Sequence, residues 1–222
     1  MSSFALKLIA VVSMLTDHMG AVLFPQYIWM RYIGRLAFPI YCFLLTEGYL
    51  HTHSFKKYIL RMTIFMALSE IPFDLAFSHT WLNIHYQNVY WTLLFGLLAI
   101  RAMEWLQARL PRQWFVLGYV PVAAAAAIAW FIHTDYNAYG VLMIFGFYIF
   151  KKQKVALAVY EIILFAFLSQ IELFAVFAFI PIFLYNGKKG LSKRWMNIGF
   201  YAFYPIHMFL LYLIRRYVIY VV

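Results

Sequence analysis

Long apolar runs, broken at intervals by short polar stretches, dominate the chain. Nine such runs lie at roughly 4–24, 28–50, 57–77, 88–107, 114–132, 138–150, 155–169, 172–186 and 197–218. Most approach the roughly 20 residues that a helix needs to cross the hydrocarbon of a bilayer. Within a run the apolar residues are continuous and do not alternate, which predicts helices and not barrel strands. Runs six to eight are short. The stretch ALAVYEIILFAFLSQIELFAVFAFIPIFLYNG must hold two of them, turning near Ser169 and Gln170. The expectation is an all-α, polytopic integral membrane bundle of about nine transmembrane helices, one domain over residues 1–222. No linker marks off a second domain, and no internal repeat is visible.

Composition strengthens this reading. Of 222 residues, 66% are hydrophobic and 12% charged. Soluble domains run nearer half apolar, so the bilayer has to be the solvent. The start, MSSFALKLIA, has no cationic leader, and no small-residue cleavage site follows, so the first helix is expected to stay. The net charge of +10 would suggest nucleic acid in a soluble chain. Here the positive-inside rule accounts for it, and no nucleic-acid partner is expected. With the N-terminus in the cytoplasm, the inner loops are 51–57, 101–112, KKQK at 151–154 and NGKKGLSKR at 186–194. The outer loops 24–27, 78–88, 133–138 and 169–171 carry no lysine or arginine. Arg215 and Arg216, near an outward C-terminus, are the exception. The single cysteine, Cys42, excludes an internal disulfide and a cysteine metal cluster. His51 and His53 have metal-like spacing but no acid or cysteine beside them, so no metal is expected.

The polar groups at membrane depth carry the chemistry. Charges there are costly, so they pair, line a cavity or act. Asp17 and His18 fall in the outer half of the first helix, Arg31 and Arg35 in the outer third of the second, and Glu70 and Asp74 in the outer half of the third. Asn88 opens the fourth, and His207 sits near the middle of the last. Arg31 and Arg35 share a face, as do Glu70 and Asp74, each pair being four residues apart. One network of Asp17, Arg31, Arg35, Glu70 and Asp74 is expected, with Glu47 pairing with Arg61 nearer the cytoplasm.

Lys7 and His18 are eleven residues apart. At about 100° per residue they share a face to within about 20°, some 16 Å apart along the axis. Val11 and Met14 lie between them. A cation, an apolar wall and an imidazole suit a long ligand with an anionic head at the cytoplasmic surface and a reactive end deep in the membrane. A coenzyme A thioester has that shape. Lys188, Lys189, Lys193 and Arg194, around Gly187 and Gly190, add cation and backbone amides for phosphates at the inner rim.

The stretches LKLIAVVSMLTDHMG, RYIGRLAFPIYCFLLTEGYLHT, KKYILRM, ALSEIPFDL, LYNGKKG and FYAFYPIHMFLLY together resemble the TraX family of membrane proteins, over nearly the whole chain. The type member N-acetylates the pilin of a conjugative plasmid. The family is grouped with wider membrane acyltransferases, which carry a basic residue, ten residues and then histidine in their first helix. Lys7 and His18 match that pattern. The resemblance implies a multi-pass acyltransferase of the bacterial inner membrane. Its donor would be acetyl-CoA and its acceptor a pilin-like protein or a glycan.

On this reading acetyl-CoA enters from the cytoplasm, its nucleotide on the basic rim and its pantetheine arm along Val11 and Met14. His18 acts as general base or briefly carries the acetyl group. An arginine, Arg31 or Arg35, or Asn88 stabilises the oxyanion. Asp17 pairs with an arginine, Glu70 completes the catalytic cluster, and His207 is a second acid–base group or a packing histidine. A small proton-coupled transporter would also hold intramembrane acids, arginines and histidines. A non-catalytic subunit of a secretion complex is the third alternative.

Overall fold

The computed structural model describes residues 1–219, and of Arg194 and Ile219 only the backbone. Its named elements are all helical. Helix α1 spans Ser3–Val22, α2 Ile28–Gly34, α3 Ala37–Leu50, α4 Phe55–Phe77 and α5 Val89–Gln107. A 3₁₀ segment, Arg112–Tyr119, leads into α6, Val120–Phe131. Helices α7, Asn137–Ile149, and α8, Lys154–Leu168, follow. A second 3₁₀ segment, Gln170–Ala178, continues as α9, Phe179–Phe183, and α10, Arg194–Ile214, ends in π-helical winding over Arg215–Ile219.

Each apolar run becomes helix, and the turn at Ser169 lies where the sequence predicts it, with an extended backbone between α8 and the 3₁₀ segment. Five stretches are long and apolar enough to cross a membrane: Ser3–Val22, Ile28–Leu50, Val89–Gln107, Arg112–Phe131 and Trp195–Val218. Helix α4 has the length, at 23 residues, but Arg61, Glu70 and Asp74 lie along it.

Local chemistry sets the boundaries. Ser2 caps α1 by accepting from the Ala5 N–H at 3.3 Å, and Ser54 caps α4 from Lys57 at 3.4 Å. Asn88 caps α5, its Oδ1 accepting from Tyr90 at 3.0 Å. The second apolar run is broken between α2 and α3. Pro39 has no N–H to give the carbonyl four residues back, that of Arg35, and the winding changes there.

At one end of the bundle the chain start is joined to 184–189. Ser3 N donates to Lys188 O at 2.9 Å and Phe4 N to Lys189 O at 3.1 Å. At that end Glu104 of α5 accepts from Tyr49 of α3 and Tyr148 of α7, and Lys154 donates to Phe183 O at 3.2 Å. The basic loops 51–57, 107–112, 150–154 and 184–193 therefore share the N-terminal end. At the other end Gln87 pairs with Thr134 in an isolated bridge, and Tyr32 stacks on Phe174 at 4.2 Å. Between the ends, Leu6, Ala10, Ile40, Leu97, Ile144, Phe165 and Met208 are fully buried in one core.

Candidate functional site

Helix α1 crosses α2 closely because glycine permits it. A Cβ on Gly20 would lie 2.8 Å from the Met30 side chain, and one on Gly34 would overlap Asp17. This approach puts the Asp17 carboxylate between two guanidinium groups. Arg31 Nη1 donates to Oδ2 at 2.7 Å and Arg35 Nη2 to Oδ1 at 2.5 Å. The other terminal nitrogen of Arg35 donates to Glu172. Two cations and two anions close the cluster, with Arg35 and both acids buried.

Asp17 thus pairs with both arginines, as expected, but the second acid is Glu172 and not Glu70 or Asp74. Glu70 instead accepts from Trp91 Nε1 at 3.1 Å and from the Asn88 side chain, away from the arginines. Asp74 accepts from the Asn83 backbone at 2.7 Å and holds the 78–88 loop. Helix α4 packs against α10 and α5, so its acids face the start of α5. Asn88 is committed to its cap, to Met66 O at 3.1 Å and to Glu70, which leaves no donor for an oxyanion. Glu47 faces His51 at 3.8 Å and Tyr185, whereas Arg61 lies over the Tyr58 ring, so those two do not pair.

His18 and His207 meet. His18 Nδ1 and His207 Nε2 are 2.7 Å apart with the rings 7° from parallel, and His207 Nδ1 lies 2.7 Å from Phe203 O. A carbonyl only accepts, so the network assigns the neutral pair. His207 carries its proton on Nδ1, and its bare Nε2 accepts from His18 Nδ1–H. His18 Nε2 is left as a free lone pair with no hydrogen-bond partner among the described residues.

A cavity of about 880 Å³ runs through this region. Its wall includes Lys7, Met14, Asp17, His18 and Arg35, so three of the four residues of the α1 stripe, Lys7, Met14 and His18, line one cavity. Val11 does not join it. It lies about 40° round from Lys7 and faces a small apolar groove against Trp195, Met196 and Phe200 of α10. Lys7 Nζ donates to Asn197 Oδ1 at 2.8 Å and sits over Phe200. Lys189, Arg61 and His51 line the same end. Lys188 and Lys193 are exposed and off the wall, and the Arg194 side chain lies outside the described structure. Glu70 and His207 are also off the wall, His207 reaching it only through His18.

The deep end holds two groups that sequence reasoning assigned to a loop. Asp135 and Tyr86 line the cavity, and Tyr86 OH donates to Asp135 Oδ1 at 2.9 Å. The loop is held in left-handed backbone at His133 (φ 52°), Tyr136 (φ 60°) and Asn137 (φ 37°), a strained arrangement for non-glycine residues. Gln87 clamps it, donating to His133 O at 3.1 Å and accepting from Asp135 N at 2.9 Å. Enclosure pushes the Asp135 carboxyl up to about 6, against the opposing pull of Tyr86 and Arg35.

A sequence profile of the TraX protein matches residues 2–215. The chain belongs to the TraX family. Over nearly its full length the chain is also similar to the probable fimbrial assembly protein FimC, serogroup H1, of Dichelobacter nodosus. It is 29% identical over 239 residues, covering 95% of this chain and 94% of the relative. An uncharacterized protein of Rickettsia prowazekii (strain Madrid E) is 36% identical over 73 residues, covering 33% of this chain and 27% of its own length. No solved structure matches.

Proposed function

We propose that this TraX-family protein is a multi-pass acyltransferase of the bacterial inner membrane. It moves an acetyl group from cytoplasmic acetyl-CoA to an amine or hydroxyl acceptor in or across the membrane. The carrying observation is the free Nε2 of His18 on the wall of a cavity whose other end is cationic. The chain crosses the bilayer about nine times with its N-terminus inside, so the basic end faces the cytoplasm. Lys7, Lys189 and Arg61 take the anionic head of the donor, and Met14 lies along its arm. His18 Nε2 removes the proton of the acceptor, and His207 orients it. Asp17, Arg35 and Glu172 fix the α1–α2 crossing that presents His18. The fimbrial assembly relative supports a pilin-like acceptor, and a glycan is the other class.

The test is isothermal titration of the purified protein with CoA, with mass spectrometry of pilin-like and glycan acceptors from cells with and without the gene. Wild type should bind CoA and add 42 Da, the mass of one acetyl group replacing a hydrogen, about one unit per acceptor. His18→Ala should bind CoA and lose transfer by about 10²–10⁴-fold. Proton-coupled uptake without any acetylated product would turn the reading toward a transporter.

A further inference from the structure

We infer that Tyr204 is a catalytic hydrogen-bond donor of the site, holding the carbonyl oxygen of an acyl thioester beside His18. Acyl transfer builds negative charge on that oxygen, and a donor fixed in advance near the base lowers the barrier. The expected donors are taken. Asn88 is spent on its cap and on Glu70, and Arg35 directs both terminal nitrogens at carboxylates. Arg31 keeps free N–H groups, but Asp17 sets its position and matches its charge.

Tyr204 differs. It lines the cavity at 3% exposure, and its hydroxyl is buried with no hydrogen-bond partner among the described residues. The Val89 N–H at the start of α5 faces that oxygen and can only donate, and Asp135, Tyr86 and Tyr90 lie near it without a hydrogen bond, so the hydroxyl proton has no bonded acceptor. A buried donor left unmet is costly and calls for a reason. Its ring is edge-on to His18 at 5.8 Å and to His207 at 5.7 Å. Tyr41, another unpartnered hydroxyl on the wall, makes no ring contact with His18 among the described residues. The position of Tyr204 is fixed by its neighbours. Pro205 has no N–H for the Tyr201 carbonyl, and Tyr90 OH fills that carbonyl at 2.9 Å while its ring packs edge-on against Tyr204.

The step balances without a further reactant. The acceptor's lone pair forms a bond to the thioester carbonyl carbon as its proton passes to His18 Nε2. The carbonyl π electrons move to oxygen, where Tyr204 O–H donates. When the oxyanion collapses, the C–S bond breaks and the thiolate takes the proton back from His18.

This inference rests on the acyltransferase reading, and the experiment separates the two. Thiol release from acetyl-CoA is followed with the full chain in nanodiscs, hydroxylamine serving as surrogate nucleophile. Tyr204→Phe should lower kcat by about 10²–10³-fold with KM and the CoA Kd unchanged. A wild-type kcat in folded Tyr204→Phe overturns the role of Tyr204 and leaves the acyltransferase reading standing. So does loss in Tyr41→Phe beside a wild-type rate in Tyr204→Phe, which hands the role to Tyr41. No thiol release from the wild type removes the reading and the inference together. Should Tyr204→Phe fail to fold, 3-fluorotyrosine at 204 keeps the ring and makes the hydroxyl more acidic. The alkaline limb of the kcat–pH profile should then move to lower pH, and an unmoved profile overturns the role.

Discussion

An imidazole is a base in one direction only, and His207 sets that direction for His18. The carbonyl of Phe203 fixes the proton of His207, which fixes the proton of His18, which leaves Nε2 bare on a side chain of the cavity wall. Glutamine at 207 can still accept from His18 Nδ1–H through its side-chain oxygen, whereas phenylalanine cannot. Transfer by His207→Phe should fall by about 10²-fold or more, the low end of a lost general base, and His207→Gln should recover much of it. Equal rates in the two variants would make His207 a packing residue. Other single residues differ in how far sequence discloses them. Lys7, Met14 and His18 are legible because 100° arithmetic works on a straight helix, and Val11 fails at the same arithmetic because 40° suffices to face α10. Glu172 is hidden by its place two residues past a predicted turn, where an acid reads as solvated. The signal for it is present nonetheless: it is the one charge between Glu161 and Lys188.

Helices here meet through small residues and broken turns, and that scale is where the ion cluster is assembled. Gly34→Ala adds one methyl at the α1–α2 crossing, in the space Asp17 occupies. Because both the Asp17 Cβ and its carboxylate stand there, rotation of the side chain alone does not clear it. Separating Asp17 from Arg35 leaves Asp17 to Arg31 and Arg35 to Glu172 and breaks the buried charged hydrogen bond that joins the two pairs, costing on the order of 1.5–3 kcal/mol. Folded yield in detergent should drop, and normal yield and melting temperature would show that the crossing tolerates a wider gap. The strained loop at 133–137 gives the second element-scale prediction. The folded pKa of Asp135, about 6, lies above its ordinary 3.8, so between those values the folded state holds the proton more tightly. This group's contribution to stability is therefore full below pH 3.8 and lost as pH rises through about 6. Melting temperature in detergent should decline over that window, and Asp135→Asn should flatten the decline. An identical pH slope in the variant would assign it to other groups. Composition reveals the apolar segments well, but a loop such as HTDYNA shows no sign that it folds back into the bundle. Its direction comes from Gln87, 48 residues before Asp135.

Over the whole molecule, charge and shape point the same way. The basic loops gather at the N-terminal end, and the ion cluster and Asp135 sit toward the other, with one cavity between them. On the proposed topology the lysine and arginine asymmetry puts the basic end in the cytoplasm, where acetyl-CoA would enter, and leaves the deep end to an acceptor arriving from outside. That arrangement requires an odd number of crossings and an N-terminus inside, and it depends on the turn at Ser169. If 170–183 did not cross, the 151–154 and 186–194 loops would emerge on opposite faces. Reporter fusions decide it. A fusion after Asn137 should report outside and one after Lys189 inside. The same side for both would sink the nine-span arrangement, and with it the assignment of Lys7 and Lys189 to a cytoplasmic nucleotide. Reversed sides would keep the crossings but put the cationic mouth outside, away from any pool of acetyl-CoA.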